Sequence, residues 1–355
     1  MRIGIYDPYL DDLGGGERYM MTIAKCLSKD NEVYVFWHDR KDLDDIEKRF
    51  SLTLSKIKLT KNIFDSKTSF IAKLRQSAKF DLIVFLSDGG IPILLSKKVY
   101  LHIQQPITSA YPTIKDKIKL KKITKIFCNS NYTKKYVDDV YGVNSELLYP
   151  PVSIYGNNSK KENIILHVGR FRIMNVKTQD YKKQRVMIGA FKHLVDEGLK
   201  DWEFILGVSL SDVQDRDFLA MKQSAEGYPI KFLVNYDKDE LWQMGSKAKI
   251  YWHASGFGED LNKHPEFAEH FGISTVEAMG VGAVPVVINA GGQTEIVEDG
   301  ENGFLWNSLE ELERKTLKLI NNKNLLEEMS KKSYQKSLEF SDDNFCKKVK
   351  SLLND

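Results

Sequence analysis

Short β-branched or aromatic runs alternate with helical stretches from one end of the chain to the other, and that alternation narrows the fold most. In the first half, the runs at 2–6, 32–37, 82–86, 98–102 and 125–128 read as strands, with helices expected at 16–28, 69–78 and 131–141. Strand, helix, strand in succession is the βαβ unit of a parallel sheet. Residues 149–163 (YPPVSIYGNNSKKEN) follow paired prolines with a polar run and read as a linker. The alternation then restarts. Strands are expected at 164–168, 203–206, 230–234, 249–252 and 284–288, and helices at 181–194, 238–246, 273–279 and 309–321. Residues 325–353 read as two further amphipathic helices. The expected fold class is α/β, with two Rossmann-like parallel-sheet domains facing across a cleft. The expected boundaries are 1–158, 159–335 and a terminal helix in 336–355 that packs back on the first domain. In such sheets ligands sit outside the carboxyl ends of the strands.

Composition removes several classes. With 42% hydrophobic and 28% charged residues, the 355-residue chain is of ordinary globular make-up. No apolar run reaches the roughly 18 residues of a membrane span, and MRIGIYDPYL reads as a strand rather than a signal peptide. The three cysteines, Cys26, Cys128 and Cys346, lie far apart without C-x-x-C spacing. They are expected to be unpaired thiols of a cytoplasmic protein. A net charge of +3 is too small to imply a nucleic acid partner, but it is unevenly spread. Residues 1–158 carry 25 Lys+Arg against 18 Asp+Glu, and the remainder 27 against 31. Between Thr113 and Phe127, Lys115, Lys117, Lys119, Lys121, Lys122 and Lys125 face only Asp116. That segment is either a solvated helix face or a contact for an anionic surface.

Four places have the residue types for chemistry. Gly14, Gly15 and Gly16 follow the first strand, where backbone N–H groups at a helix start can meet an anion. The run is neither G-x-G-x-x-G nor a P-loop, so NAD binding and nucleotide hydrolysis lose weight, and a plain tight turn is an equal reading. His102 ends an apolar strand, where the default is a satisfied core histidine. The strand at 164–168 runs into Gly169-Arg170, and Lys183 precedes the next helix. A guanidinium fork and an ammonium so placed would converge on a diphosphate, unless both are surface charges. In 251–306, Glu269 stands before Phe271-Gly272 and Glu277 eight residues on, inside a helix whose first turn offers free N–H groups. Two carboxylates so spaced would bind vicinal hydroxyls or do hydrolytic acid–base work. A metal site of His253, Glu259, His264, Glu266 and His270 is a third reading, without recognised ligand spacing. The Asp pairs 42/44, 215/217 and 237/239 sit near helix starts and are taken as caps.

Taken in order, these pieces resemble the family 4 retaining glycosyltransferases, which have the GT-B fold. The matching pieces are Gly15-Gly16-Glu17, His102, Val168-Gly169-Arg170-Phe171, Lys183-Gln184 and the Glu-x7-Glu stretch from Glu269-His270-Phe271-Gly272 to Glu277-Ala278-Met279. Gly280 to Val287, Gly291-Gly292, Glu295-Ile296-Val297 and Gly303-Phe304 continue the pattern. The wording of the C-terminal block is most similar to a subgroup that includes the dolichol-linked α-1,2-mannosyltransferases. Residues 256–268 form an insertion relative to the common pattern.

The resemblance implies transfer of a hexose from a nucleotide-diphospho-sugar, with retention at the anomeric carbon, no cofactor and no obligatory metal. It implies that Arg170 and Lys183 bind the diphosphate, Glu269 the donor sugar and Glu277 the ribose. The Gly272, Ile273 and Ser274 backbone lies beside them, Gly169 adjoins the phosphates, and Val234 and Asn235 reach the base. In the first domain it implies His102 against the sugar, with Gly15 and Gly16 by the phosphates or the acceptor. The expected donor is GDP-mannose and the acceptor a glycan or a polyprenyl- or dolichol-linked saccharide. A peripheral contact with anionic membrane through Lys115 to Lys125 would place the enzyme at the cytosolic face. A UDP-sugar transferase, a nucleotide-sugar epimerase and a non-catalytic sugar-nucleotide-binding subunit are the alternatives.

Overall fold

The computed structural model describes residues 1–108, 112–156, 159–171, 173–174 and 179–354. The chain forms two compact units, one of residues 1–151 and 342–355, the other of 152–341.

The N-terminal unit runs β1 (Arg2–Tyr6), α1 (Gly15–Leu27), β2 (Glu32–Phe36), α2 (Arg40–Phe50), β3 (Lys58–Thr60), α3 (Phe70–Ser77), β4 (Leu82–Leu86), β5 (Lys98–Ile103), α4 (Ile114–Leu120), β6 (Lys125–Cys128), α5 (Asn131–Tyr141) and β7 (Glu146–Leu147). Its seven parallel strands are ordered β3-β2-β1-β4-β5-β6-β7, so the strand order reverses between β1 and β4. Apolar side chains of α1, including Met20, Ile23 and Ala24, pack with Ile3, Ile5 and Val33 of the sheet. The weakly patterned elements are the ones the sequence hides. In α2 only Leu43 and Ile46 are buried, and α4 buries no residue.

The C-terminal unit runs β8 (Glu162–Arg170), a short antiparallel ribbon of β9 (Ile173–Met174) and β10 (Gln179–Asp180), α6 (Gln184–Asp196), β11 (Glu203–Ser209), α7 (Arg216–Ser224), β12 (Ile230–Val234), α8 (Lys238–Lys247), β13 (Ala248–His253), α9 (Ile273–Gly280), β14 (Val284–Ile288), α10 (Gln293–Ile296), β15 (Phe304–Trp306), α11 (Leu309–Ile320) and α12 (Lys323–Ser337). The parallel order β12-β11-β8-β13-β14-β15 reverses between β8 and β13. Those two strands are the natural place for a ligand in a sheet of this kind. Two of the Asp pairs supply caps: Asp215 accepts from the N–H of Phe218, and Asp237 from that of Glu240, whereas α2 is capped by Asp39 and not by the 42/44 pair. Asp42 lies in the first turn of α2 and accepts from the Trp37 indole at 2.6 Å.

The last helix, α13 (Asp342–Asn354), returns to the N-terminal unit and lies against α1. Phe345 and Val349 join that unit's core, and the Tyr100 hydroxyl donates to the Leu352 carbonyl at 2.8 Å. This return corrects the expectation of three unpaired cysteines. Cys26 and Cys346 form a disulfide across 320 residues, with Cα atoms 5.2 Å apart, while Cys128 is free and buried. The spacing concealed the pair because proximity arises only when α13 docks on α1. Among the described residues, no helix is long and apolar enough to cross a membrane.

Candidate active site

The C-terminal unit gathers charge where its strand order reverses. Arg170 is the last residue of β8, and His253 is the last residue of β13. His253 is buried, and its Nε2 lies 3.0 Å from Glu269 Oε2. The same oxygen accepts from Lys182 Nζ at 2.6 Å. Burial disfavours a charged imidazole and lowers the His253 pKa despite the carboxylate beside it, so its Nε2–H donates as a neutral ring. Burial would raise the Glu269 pKa, but the Lys182 charge and the His253 hydrogen bond hold it well below the usual range. Glu269 is therefore an ionised acceptor fixed from two sides, with a fifth of its side chain open to solvent.

Sequence reasoning singles out Lys183 and misses Lys182. The structure separates the two neighbours. Lys183 is the N-cap of α6 in the left-handed region, at φ +55, a conformation costly for a side-chain-bearing residue. Its ammonium pairs with Glu259. Lys182 instead reaches the Glu-x7-Glu motif. Nothing in a Lys-Lys dipeptide tells which side chain takes which direction; only the backbone turn does. The insertion 256–268 contributes to this arrangement. It supplies Glu259, and the carbonyls of Glu266 and Ala268 accept from the Tyr181 hydroxyl at 3.2 and 3.1 Å. The proposed metal set is dispersed: Glu259 holds Lys183, His253 holds Glu269, and His264 pairs with Glu266 at 3.1 Å. Among the described residues no group of three or more His, Cys, Asp or Glu side chains could hold a metal ion.

The mouth of α9 depends on glycine. Gly272 caps the helix at φ +122, which L side chains rarely adopt. Opposite it, a Cβ on Gly292 would lie 2.4 Å from Phe271 Cα, so only glycine lets this loop press on the motif, where the Gly292 N–H donates to the Glu269 carbonyl at 2.8 Å. Ser274, in the first turn of α9, shares a 2.8 Å hydrogen bond with the Tyr251 hydroxyl. Glu277, one turn further along from Ile273, lines a cavity of about 80 Å³ with Tyr155, Val168, Leu241, Trp242 and Ser274. The Trp242 indole N–H is buried there without a hydrogen-bond partner. Val234 ends β12, but the Asn235 side chain is occupied locally: its Oδ1 accepts from the Leu210 N–H at 2.9 Å. Gly169 lies within β8, next to the buried His167 and the stem of Lys182.

In the N-terminal unit, His102 and the glycine run sit at the carboxyl edge of the sheet. His102 is fully buried between the Tyr19 and Phe127 rings, 4.2 and 4.7 Å away centroid to centroid. Its Nδ1 is 3.1 Å from the Phe127 carbonyl. A carbonyl only accepts, so Nδ1 carries the hydrogen and Nε2 keeps a lone pair without a partner. Burial lowers its pKa to about 3, so the ring is neutral at physiological pH. Gly14 caps α1, with its N–H bonded to the Glu17 carboxylate, and a Cβ on Gly16 would meet the Gln104 side chain at 2.7 Å. Gly15 is the first residue of α1. Asp7, absent from the sequence-based selection, is fully buried at the end of β1 with Oδ2 unpartnered. Burial and the nearby Glu17 raise its pKa to about 8.

Comparison with known proteins fits these details to a family. Residues 155–336 match the model of glycosyl transferases group 1. Along 99% of its length the chain is 23% identical to a GDP-Man:Man(3)GlcNAc(2)-PP-Dol alpha-1,2-mannosyltransferase of Dictyostelium discoideum, covering 85% of that protein. It is 26% identical to an uncharacterized glycosyltransferase of Methanocaldococcus jannaschii, over 95% of this chain and 92% of the relative. The crystal structure of Anabaena HepE in complex with UDP superposes with a TM-score of 0.74 over the whole of both chains, at 17% identity. With two parallel-sheet Rossmann-like units and this motif set, the chain has the GT-B fold and belongs to the glycosyl transferases of group 1.

Proposed function

We propose that this glycosyltransferase is a retaining, metal-independent hexosyltransferase that moves mannose from GDP-mannose onto a glycan or a polyprenyl-linked saccharide. The observation that carries the reading is the convergence of Lys182 and His253 on Glu269. An ionised carboxylate held from behind presents a fixed acceptor to donor-sugar hydroxyls, and the lysine beside it supplies positive charge for a leaving diphosphate. Arg170, at the neighbouring strand end, adds a planar fork for phosphate oxygens. Charge aimed at where the leaving group develops it, together with positioning, is the main source of acceleration in such a reaction. No side chain needs to attack: the C1–O bond to the diphosphate breaks, the acceptor oxygen bonds C1 from the same face, and the acceptor proton passes to the departing phosphate. Glu277 binds the ribose hydroxyls, and the adjoining cavity, with Trp242 and Tyr155, offers apolar surface and a ring N–H to the base. In the N-terminal unit, the His102 lone pair accepts from a sugar hydroxyl, and the exposed Gly15, with Gly16 beside the Gln104 side chain, lies where an anion or the acceptor approaches.

GDP-mannose is favoured by the Dictyostelium relative, whose name states that donor and a dolichol-linked acceptor. A UDP-sugar is the second reading, favoured by the Anabaena structure solved with UDP. Thermal shift with GDP, UDP, ADP and their sugars separates them: a nucleotide at about 100 times its Kd stabilises the fold by about 2.7 kcal/mol. The expected order places GDP and GDP-mannose first. A UDP preference moves the assignment to the second reading. Proton NMR of the product in EDTA tests the rest, with an α-linked hexose expected. A β-linkage, or loss of turnover on chelation, contradicts the retaining, metal-free mechanism.

A further inference from the structure

Eleven large hydrophobic side chains are exposed among the described residues, and six of them (Phe70, Ile71, Ile93, Leu95, Ile114 and Ile118) lie within residues 70–118. Topology brings these to one side of the N-terminal sheet. The connections β3 to β4, β4 to β5 and β5 to β6 all step in one direction, whereas β1 to β2 and β2 to β3 step in the other. Right-handed crossovers then put α3, the 87–97 segment and α4 on the face opposite α1 and α2. Contacts make the surface continuous: the Leu95 N–H donates to Ser77 Oγ at the end of α3, at 3.0 Å. Ile91 shares a cluster with Leu120 and Ile123, at the end of α4 and just beyond it.

Charge is concentrated in the same stretch. Residues 61–125 hold 13 Lys+Arg against 4 Asp+Glu, which exceeds the whole excess of residues 1–158, 25 against 18. In and just after α4, Lys115, Lys117, Lys121 and Lys122 are exposed, and none of them has an ion pair among the described residues. Core packing does not explain this helix, since it buries no residue, and Ile114 and Ile118, four apart on one face, are 80% and 61% exposed. Isoleucines projecting among lysines suit a boundary between water and hydrocarbon that carries negative charge. A nucleic acid would engage the cations and leave the isoleucines in water. A second copy would set two strongly positive faces against each other.

From this juxtaposition we infer that the α3–α4 face of the N-terminal unit docks on an anionic lipid bilayer. The isoleucines enter the headgroup–acyl boundary, and the lysines lie among acidic headgroups. The inference needs neither a particular donor nor a particular acceptor, so it stands or falls apart from the proposed reaction.

Co-sedimentation of the full chain with phosphatidylcholine vesicles, with and without phosphatidylserine, tests it. Binding is expected only with phosphatidylserine, and raising salt from about 0.1 M to about 1 M should release the protein. Replacing Lys115, Lys117, Lys121 and Lys122 by Gln should weaken binding by about a hundredfold or more. Ile114→Ser with Ile118→Ser should weaken it by about tenfold. Gln at Lys29, Lys41, Lys48 and Lys56, exposed lysines outside this stretch, should leave it unchanged. Equal binding to neutral vesicles, no binding, or unweakened binding by the Lys115, Lys117, Lys121 and Lys122 variant overturns the inference. So does self-association or nucleic-acid binding that the isoleucine and lysine variants abolish in the absence of vesicles.

Discussion

At the residue scale, the two neighbouring lysines should fail differently. Lys182 touches Glu269, and Lys183 is held by Glu259 in the insertion. Lys182→Ala should lower kcat by about 10²–10³, the usual loss when a group facing a developing charge is removed. Lys183→Ala should act through positioning, with a smaller fall in kcat and a lower Tm, since it frees the left-handed cap of α6 and leaves Glu259 unpaired. Steady-state kinetics and melting of both variants decide this, and a larger kcat loss for Lys183→Ala with no change in Tm would reverse the assignment. Asp7 makes a pH-dependent prediction. Its folded pKa, about 8, lies above the ordinary aspartate value. Between those values the native chain holds a proton that the unfolded chain has released, so its contribution to stability is lost as pH rises from about 4 to about 8. Asp7→Asn should therefore gain stability over the native chain by up to about 1.4 kcal/mol per pH unit in that window. A difference in Tm that stays constant from pH 4 to 8 would show that Asp7 titrates normally.

At the element scale, what was legible in the sequence and what was not share one cause. Strands such as Ile230–Val234 and Val284–Ile288 and helices such as Asn131–Tyr141 coincide with the bounds read from pattern, because the strands are short β-branched or aromatic runs and the helix buries Thr133, Val137 and Tyr141 at helical spacing. The three-residue β3 and α4, which buries nothing, lack that signal, and in α2 it is reduced to Leu43, Ile46 and Phe50 among charged residues. At the site, Glu269, Glu277, Arg170 and the glycines of 272 and 292 stood out as a motif. The Lys182 and His253 contacts did not, because they arise from a backbone turn at Lys183 and from the pairing of β8 with β13. The loop before α10 gives a direct check on this packing. Gly292→Ala would drive a Cβ into the Phe271 backbone at 2.4 Å, with His270 O only 2.6 Å away. Backbone cannot move aside as a flexible side chain does, so a loss of about 2 kcal/mol or more is expected, with donor affinity falling alongside. Denaturant melts of unchanged midpoint would mean that the loop is free to relax.

At the scale of the whole molecule, the chain begins and ends in the same unit, because α13 crosses back and is bonded to α1 through Cys26 and Cys346. Tyr100, Asp30 and Arg18 hold the same helix, through Leu352, Lys350 and Asp342. Cys346→Ser should destabilise the N-terminal unit by about 2–5 kcal/mol, read as a lowered transition that reductant reproduces in the native chain. Non-reducing peptide mapping that finds both thiols free, with no effect of reductant on melting, would contradict the pairing. The central claim is that the ionised Glu269, held by Lys182 and His253, serves sugar transfer, and product analysis tests it most directly. The native chain and Glu269→Gln are each incubated with GDP-mannose, with and without a polyprenyl-linked saccharide, and products are followed by mass spectrometry. The expected result is an acceptor longer by one hexose, formed by the native chain only when acceptor is present. Glu269→Gln should make it at least about a hundredfold more slowly while keeping its affinity for free GDP. Free or epimerised sugar without acceptor, or transfer at the native rate by Glu269→Gln, would contradict it.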